Sequence, residues 1–264
     1  MHDHPSFAPN QREDVLEFFQ RNNYAVISDG LTSNEIDFLN EFVAESQQRI
    51  PDEWGIGTRD IHDHGQILVE HPQLDAFVQH PTTYPLIETI LGEDVRFAQF
   101  DFRELPDGDG KNPMRFHQDH SYLTRDNWDP NHVYQCRYLC RIFYLTDVTE
   151  KTPCFSVVPN SHPYTTAEEA KAEMAEYREI PIRGAAGTAI LYNIATYHAR
   201  FAGTTDAGRR TQHTYYSRAA SPVLTEWVII PERLAQHPDQ AQRAFYSQWT
   251  PATQRYADAG FKNE

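Results

Sequence analysis

The sequence predicts a mainly β protein with flanking helices, and three observations lead to this fold class. Helical spacing of apolar residues lies before Gly92 and returns in the tail after Pro231. Turn-forming stretches such as PDGDGKNP and PNSHP punctuate the region between them. That region contains segments of strand composition without intervening helices: 95–102, 114–119, 133–145, 155–158, 188–193 and 211–216. An antiparallel barrel or a double-sheet jelly roll with helices packed outside satisfies this pattern.

The length of 264 residues allows one large core, so we expect a single domain over 1–264. Its expected parts are N-terminal helices over about 11–92, a β core over about 93–220 and a helical tail over about 231–264. The sequence shows no internal repeat or low-complexity linker that would divide the chain.

Composition restricts the partners. The formal net charge of −15 would repel nucleic acid and anionic membrane surfaces, so we expect a small-molecule substrate and neither of those partners. The N-terminal MHDHPSFAPN lacks the parts of a signal peptide, and no stretch approaches the ~18 apolar residues of a membrane span. A cytoplasmic location is therefore expected. The three cysteines lack zinc-finger spacing and argue against a disulfide framework, and the sequence does not indicate an oligomeric state.

The N-terminal region is predicted to fold as helix, strand, helix. One helical face is apolar over the first segment, and YAVI at 24–27 has strand composition. The second helix, over 32–48, has a start signal, because Thr32 can cap the N–H of Glu35 while Glu35 reaches back. Two shorter helical pieces follow, separated at Pro81.

Two segments without periodicity are expected to influence specificity together with the C-terminal helix. Residues 51–65 are predicted as a loop that can cover a pocket, and residues 120–132 follow the most unusual motif of the chain. The aromatic residues Trp54, Tyr122 and Trp128 can border a substrate cavity, with ordinary packing as the alternative.

The stretch FHQDHSYL places His117, Asp119 and His120 within a few positions. If residues 114–119 form a strand, His117 and Asp119 point to the same face and can share one ion, whereas His120 points to the other side. Two neighbouring ligands do not hold a redox metal alone, so we expect a third protein ligand from a distant segment.

The best candidate for that third ligand is His198, after TAILYN, with His213 as the alternative. A set of two histidines and one carboxylate leaves positions open on ferrous iron for an oxo-acid and dioxygen. Arg209 follows eleven residues after His198, and a guanidinium can hold a carboxylate with two parallel hydrogen bonds. Its rival is Arg210, and on a strand only one of the two arginines can face inward with His213 and Tyr215.

The chain resembles the phytanoyl-CoA dioxygenase (PhyH-like) family of Fe(II)- and 2-oxoglutarate-dependent oxygenases over most of its length. The segments that carry the resemblance are FFQRNNYAVISDGLTSNEI, EHPQLDAFVQHP with ILGEDV, FHQDHSYL, CFSVVPNSH, and GTAILYN leading into His198 and Arg209. H-x-D alone is a weak signal, whereas these motifs in this order and spacing are a strong one. The resemblance implies a core of double-stranded β-helix type, which is the jelly roll of cupins.

Carried over by position, the resemblance makes His117, Asp119 and His198 the iron ligands and catalytic residues. It selects Arg209 as the partner of the distal 2-oxoglutarate carboxylate and assigns Gln99 to the cosubstrate site. The implied oxidoreductase uses Fe(II), 2-oxoglutarate and O2 to oxidise a small, polar metabolite, with hydroxylation as the default outcome and succinate and CO2 as coproducts.

Three features depart from the family pattern. Arg200 stands where relatives often have a small hydroxyl residue, Gly203 or Thr204 stands near the position of their asparagine, and Asn160 replaces the glycine of a PGSH-like turn. Arg200 can contact an anionic substrate or face solvent. Arg115, Arg137 and Arg141 are strand arginines, for which a solvated face is more typical than a positive pocket. Two other functions stay open: a metal-dependent hydrolase or isomerase that uses the same ligands without 2-oxoglutarate, and a non-catalytic binding domain.

Overall fold

The computed structural model describes residues 4–56, 62–92, 94–111, 113–119 and 128–262. Within these ranges the protein is mainly β, with antiparallel sheets and flanking helices, as the sequence predicts. None of the helices in the described ranges combines the length and the hydrophobicity that a bilayer span requires. Its cysteines are free and buried, in agreement with the expected absence of a disulfide framework.

The strands form a seven-stranded and a three-stranded sheet. In chain order they are β1 (Tyr24–Ile27), β2 (Gly55–Ile56), β3 (His62–His64), β4 (Val95–Leu105), β5 (Tyr138–Tyr144), β6 (Cys154–Val157), β7 (Ile180–Ile182), β8 (Ala189–Asn193), β9 (His198–Phe201) and β10 (Arg209–Arg218). The larger sheet has the order β1-β8-β5-β10-β4-β3-β2, and the smaller sheet has the order β7-β6-β9. The central position of β10, between β5 and β4, brings residues from distant parts of the chain together.

Helices lie mostly at the two ends of the chain. They are α1 (Arg12–Asn22), α2 (Ser33–Arg49), α3 (Tyr84–Leu91), α4 (Ala167–Glu173), α5 (Glu232–Ala235), α6 (Gln240–Phe245) and α7 (Pro251–Asp258), with 3-10 turns at Pro51–Glu53 and Pro72–Phe77. The predicted capping box of α2 is confirmed, because Thr32 accepts from the Glu35 N–H and the Glu35 carboxylate accepts from the Thr32 N–H at 2.8 Å. This reciprocal pair satisfies two backbone donors at the helix start.

Two apolar cores lie on opposite faces of the larger sheet, and β5 separates them. Leu139 and Phe143 belong to the cluster shared with the N-terminal helices, whereas Tyr138 and Ile142 belong to the cluster that includes the smaller sheet. Successive side chains of a strand point to opposite faces, so every residue of β5 is buried. The sheets therefore enclose one core, and the helices cover the other.

The predicted strand over residues 114–119 is wrong. In its place a single antiparallel bridge joins His117 to His198. Before the bridge, the N–H of Met114 bonds to the Arg200 carbonyl at 3.0 Å, and after it the N–H of Asp119 bonds to the Ile194 carbonyl at 3.2 Å. These irregular steps hold the segment beside β9 without a continuous ladder.

Residues 51–65 also differ from the predicted uninterrupted loop. The segment contains β2 and β3, and β3 extends the larger sheet by pairing with β4. An edge strand has unpaired backbone groups, and a short neighbouring strand satisfies some of them. Residues 57–61 of the predicted loop lie outside the described residues.

Arg141 lies in the core rather than on the solvated face that the sequence favours. Both faces of β5 are covered, so its side chain is fully buried. One Nη donates to the Phe77 carbonyl (2.7 Å), to Gln212 Oε1 (2.8 Å) and to Thr214 Oγ1 (2.6 Å). The guanidinium also lies 4.1 Å from the centre of the Phe143 ring, an aromatic contact that favours a buried cation.

Candidate active site

His117, Asp119 and His198 converge between the two sheets. Each offers one ligand atom, and these atoms all lie within 4.8 Å of one another. Asp119 Oδ1 is 3.6 Å from His117 Nε2 and 3.4 Å from His198 Nε2. The backbones of the two histidines exchange hydrogen bonds of 3.0 Å in both directions, so the bridge fixes the separation of the rings.

Backbone carbonyls orient both imidazoles. His117 Nδ1 lies 3.1 Å from the Arg115 carbonyl, and His198 Nδ1 lies 2.9 Å from the Thr196 carbonyl. A carbonyl oxygen only accepts, so each Nδ1 has the proton and each Nε2 directs its lone pair toward Asp119. This tautomer is the one that a metal-binding Nε2 requires.

The second oxygen of Asp119 is held by two phenols. Tyr192 donates to Oδ2 at 2.7 Å and Tyr215 donates to it at 3.0 Å, which leaves Oδ1 facing the imidazoles. Arg103 donates to the Tyr215 oxygen at 3.1 Å, and its guanidinium is held by Asp101 at 2.9 and 3.2 Å. A chain of partly buried polar contacts thus runs from Asp101 through Arg103 and Tyr215 to the Asp119 carboxylate.

Charge states at the site follow from burial and neighbours. Burial raises the pKa of Asp119, but the neighbouring imidazoles of His198 and His117 outweigh this effect and hold the pKa well below its usual range. Burial lowers the pKa of His198, and the opposing effect of Asp119 does not cancel that shift. At neutral pH the site therefore offers an ionised carboxylate and a neutral His198 imidazole.

The donor set fits a divalent transition metal. Two imidazole nitrogens and one carboxylate oxygen from one side leave the other side for exogenous ligands, which is the arrangement of non-heme iron oxygenases. The outer oxygen and both Nδ1 atoms are hydrogen-bonded, as the outer atoms of metal ligands usually are.

A cavity of about 50 Å³ opens beside these residues. Its wall consists of residues from both sheets and from the segment 113–119: Arg103, Leu105, Met114, His117, Phe155, Tyr192, His198, Ala199, Arg200, Arg209, Thr211 and His213. Three of these wall residues are arginines and none has a carboxylate. In a chain of net charge −15 this local excess of guanidinium favours an anionic occupant.

The two rival arginines point to opposite sides of β10. Arg209 lines the cavity with Thr211 and His213, and its Nη1 lies 3.5 Å from the Pro153 carbonyl. Arg210 faces the helices, where it pairs with Glu104 at 2.6 Å and Asn40 at 3.0 Å. The strand parity expected from the sequence is confirmed, whereas the cosubstrate role of Arg209 stays a prediction.

Two other predicted residues lie near the triad but outside it. Gln99 is buried on β4 and donates to Asp101, and it is absent from the cavity wall described above, so its cosubstrate role also stays a prediction. His213, the alternative third ligand, lies in the wall with Nε2 at 3.0 Å from Thr211 Oγ1. Burial, with Arg103 and Arg209 nearby, holds its pKa well below the usual range, so this ring is neutral.

Several sequence signals concern the surroundings. His120 and Tyr122 lie outside the described residues. Trp54 is buried and donates to Ser46 Oγ at 3.0 Å, and Trp128 packs on His162 with ring centres 4.9 Å apart, so both make packing contacts. The glycine replacement at Asn160 is accommodated, because its φ of 58° is a left-handed conformation that asparagine tolerates.

Comparison with known proteins adds a family to this geometry. A model of the phytanoyl-CoA dioxygenase (PhyH) family matches residues 19–211, and no curated protein matches the chain. EctD from S. alaskensis, solved with 2-oxoglutarate and 5-hydroxyectoine, has a TM-score of 0.66 and 19% identity over 84% of this chain and 81% of EctD. HygX from Streptomyces hygroscopicus, solved with nickel and 2-oxoglutarate, has a TM-score of 0.63 and 14% identity over 86% and 93% of the chains. The carbocyclase SnoK from nogalamycin biosynthesis, a non-heme alpha-ketoglutarate-dependent enzyme, has a TM-score of 0.64 and 21% identity over 83% and 89%. These structures share the fold.

Proposed function

This chain belongs to the phytanoyl-CoA dioxygenase family of iron- and 2-oxoglutarate-dependent enzymes, and on that premise we propose that it hydroxylates a small polar metabolite. The observation that supports this most directly is the convergence of His117, Asp119 and His198 on one point beside a cavity with arginines in its wall. Family membership favours this dioxygenase over a hydrolase, an isomerase or a binding domain.

In this proposal Nε2 of His117, Oδ1 of Asp119 and Nε2 of His198 hold Fe(II). When bound there, the iron supplies the chemistry that couples O2 and the decarboxylation of 2-oxoglutarate, with release of succinate and CO2, to oxidation of the substrate. The protein residues orient the ligands through the Nδ1 contacts and line the cavity beside the metal site. A carboxylate at position 119, rather than a small residue, supports oxygenation over halogenation.

Arg209 is proposed to bind the distal carboxylate of 2-oxoglutarate, and Gln99 is proposed to line the cosubstrate site. The parity of β10 supports the role of Arg209, because its side chain and the metal ligands border the same cavity. A guanidinium can hold that carboxylate with two parallel charge-assisted hydrogen bonds, and a neutral side chain cannot. Thr211, His213 and the arginines in the wall offer polar contacts to a polar substrate.

For the architecture, we propose one domain over residues 1–264 whose two sheets form a double-stranded β-helix of cupin type. The enclosed core between an antiparallel seven-stranded and a three-stranded sheet supports this assignment. The site lies inside that enclosure, where water is limited and charged contacts are stronger than in bulk solvent.

The test is an anaerobic titration of the Fe(II)-loaded protein with 2-oxoglutarate. Chelation of the keto acid to Fe(II) produces a weak visible charge-transfer band, and the Zn(II)-loaded protein is the matched control without such a band. Succinate production over a panel of polar metabolites then identifies the substrate. The absence of both the band and succinate would remove the proposed function in favour of a hydrolase or isomerase.

A further inference from the structure

Tyr192 and Tyr215 are not metal ligands in the proposed site, but both donate a hydrogen bond to one of the ligands, Asp119. We propose that these two phenols are positioning residues that hold Asp119 as a monodentate ligand and thereby keep coordination positions open for cosubstrate and O2. This inference rests on the proposed function and deepens it, because it assigns residues that set how the metal is held.

The two phenols approach the same oxygen from different strands. Tyr192 lies on β8 and Tyr215 on β10, and β5 runs between these strands in the sheet. Both donate to Asp119 Oδ2, at 2.7 and 3.0 Å, and each tyrosine is only 1% exposed. Because an ionised carboxylate only accepts, both hydroxyl protons point at Oδ2.

This arrangement opposes a change of Asp119 to bidentate coordination. To bring Oδ2 onto the metal, the carboxylate would lose two hydrogen bonds to a charged group, which are stronger than those between neutral groups. With Oδ2 held back, the protein contributes one oxygen and two nitrogens, and the remaining positions stay available.

Arg103 strengthens one of the two donors. It donates to the Tyr215 oxygen at 3.1 Å, and Asp101 fixes its guanidinium through two contacts. A phenol that accepts from a cation is a stronger donor in turn, since hydrogen bonds in a chain polarise one another. Asp101, Arg103 and Tyr215 therefore form one hydrogen-bonded chain that acts on Asp119.

The experiment compares Tyr192→Phe, Tyr215→Phe and the double variant in the full-length chain loaded with Co(II). Tyr138→Phe is the matched control, because Tyr138 is a buried tyrosine of the intervening strand β5 whose hydroxyl donates to the Pro222 carbonyl at 2.8 Å. The visible absorption of Co(II) weakens as its coordination number rises, and this readout does not need turnover.

We expect the double variant to show a weaker Co(II) band than wild type and a dissociation constant for 2-oxoglutarate raised at least about tenfold, with smaller changes in the single variants. The control keeps the wild-type band and affinity. Arg103→Met added to Tyr215→Phe should change the band less than the sum of the two single effects, because both act through the same hydrogen bond.

Thermal melting without metal establishes that each variant is folded. If the double variant does not fold, the two single variants are compared with wild type instead. The proposal is overturned if the phenylalanine variants have the same Co(II) band and 2-oxoglutarate affinity as the control. If wild type itself does not bind 2-oxoglutarate, the proposed function fails, whereas the comparison of Co(II) bands still decides the role of the tyrosines.

Discussion

The two faces of β10 have similar residues with different tasks. The face toward the smaller sheet has Arg209, Thr211, His213 and Tyr215, and the face toward the helices has Arg210, Gln212, Thr214 and Tyr216. The first set lines the cavity or contacts a proposed metal ligand. The second set bonds to groups outside the site, such as Glu104, Arg141 and the Val78 carbonyl.

On this strand the residue type does not identify a functional side chain. The face to which the side chain points, which alternates from one residue to the next, does. Arg209 and Arg210 are adjacent in sequence, yet the first borders the cavity and the second forms an ion pair under the helices. Substitutions on one face should therefore change binding, and substitutions on the other should change stability.

The largest effect is expected for metal affinity, which should distinguish the ligand His198 from His213, a residue of the cavity wall. His198→Ala should lower metal affinity by more than the roughly 100-fold that removal of an outer partner costs at most, because a donor atom is lost. His213→Ala should retain the metal, since His213 lies outside the convergent set. Metal content after dialysis against a chelator measures both, and the reverse result would make His213 the third ligand.

The next effect concerns stability on the helix-facing side. Arg141→Leu should lower the free energy of unfolding by about 3 kcal/mol, because the acceptors of Phe77, Gln212 and Thr214 lose their common donor in a buried place. Urea denaturation of the metal-free protein measures it. Arg255→Leu, at an exposed position of α7, is the control and should change stability by less than about 0.5 kcal/mol.

The two neighbouring arginines give the sharpest comparison. Arg209→Gln should raise the KM for 2-oxoglutarate by about 10- to 100-fold, because a neutral amide replaces a charged double donor. Arg210→Gln should leave that KM unchanged and cost about 1 kcal/mol of stability through its lost ion pair. Equal effects of the two substitutions on KM would contradict the division between the faces.

The smallest effect is expected at Tyr216. Its hydroxyl donates to the Val78 carbonyl, so Tyr216→Phe should lower the free energy of unfolding by about 1 kcal/mol. Thermal denaturation checks this, and the Co(II) spectrum should match that of wild type. A changed spectrum would show that the helix-facing side of β10 also influences the metal.

Local sequence signals predicted much of this structure. The capping pair Thr32 and Glu35 predicted the start of α2, and the alternation along β10 predicted that Arg209 and Arg210 point apart. The convergence of residues 117, 119 and 198 could be predicted from the sequence, because ligand chemistry required a third donor and family motifs located it.

The remaining features depend on strand order, which local sequence does not encode. Tyr192 and Tyr215 meet at one oxygen only because β8 and β10 both flank β5, and no spacing between positions 192 and 215 reveals this. Burial of Arg141 likewise results from helices that cover its strand. The series from Asp101 through Arg103 depends on the pairing of β4 with β10.

The backbone bridge between His117 and His198 has a consequence for metal selection. Because the bridge and the two Nδ1 contacts fix both rings, the donor atoms need little rearrangement to accept an ion. Such a preformed nitrogen and oxygen set generally binds nickel or copper more tightly than ferrous iron, following the ordinary order of divalent affinities. Which ion fills this site therefore depends on the supply available to the newly folded chain.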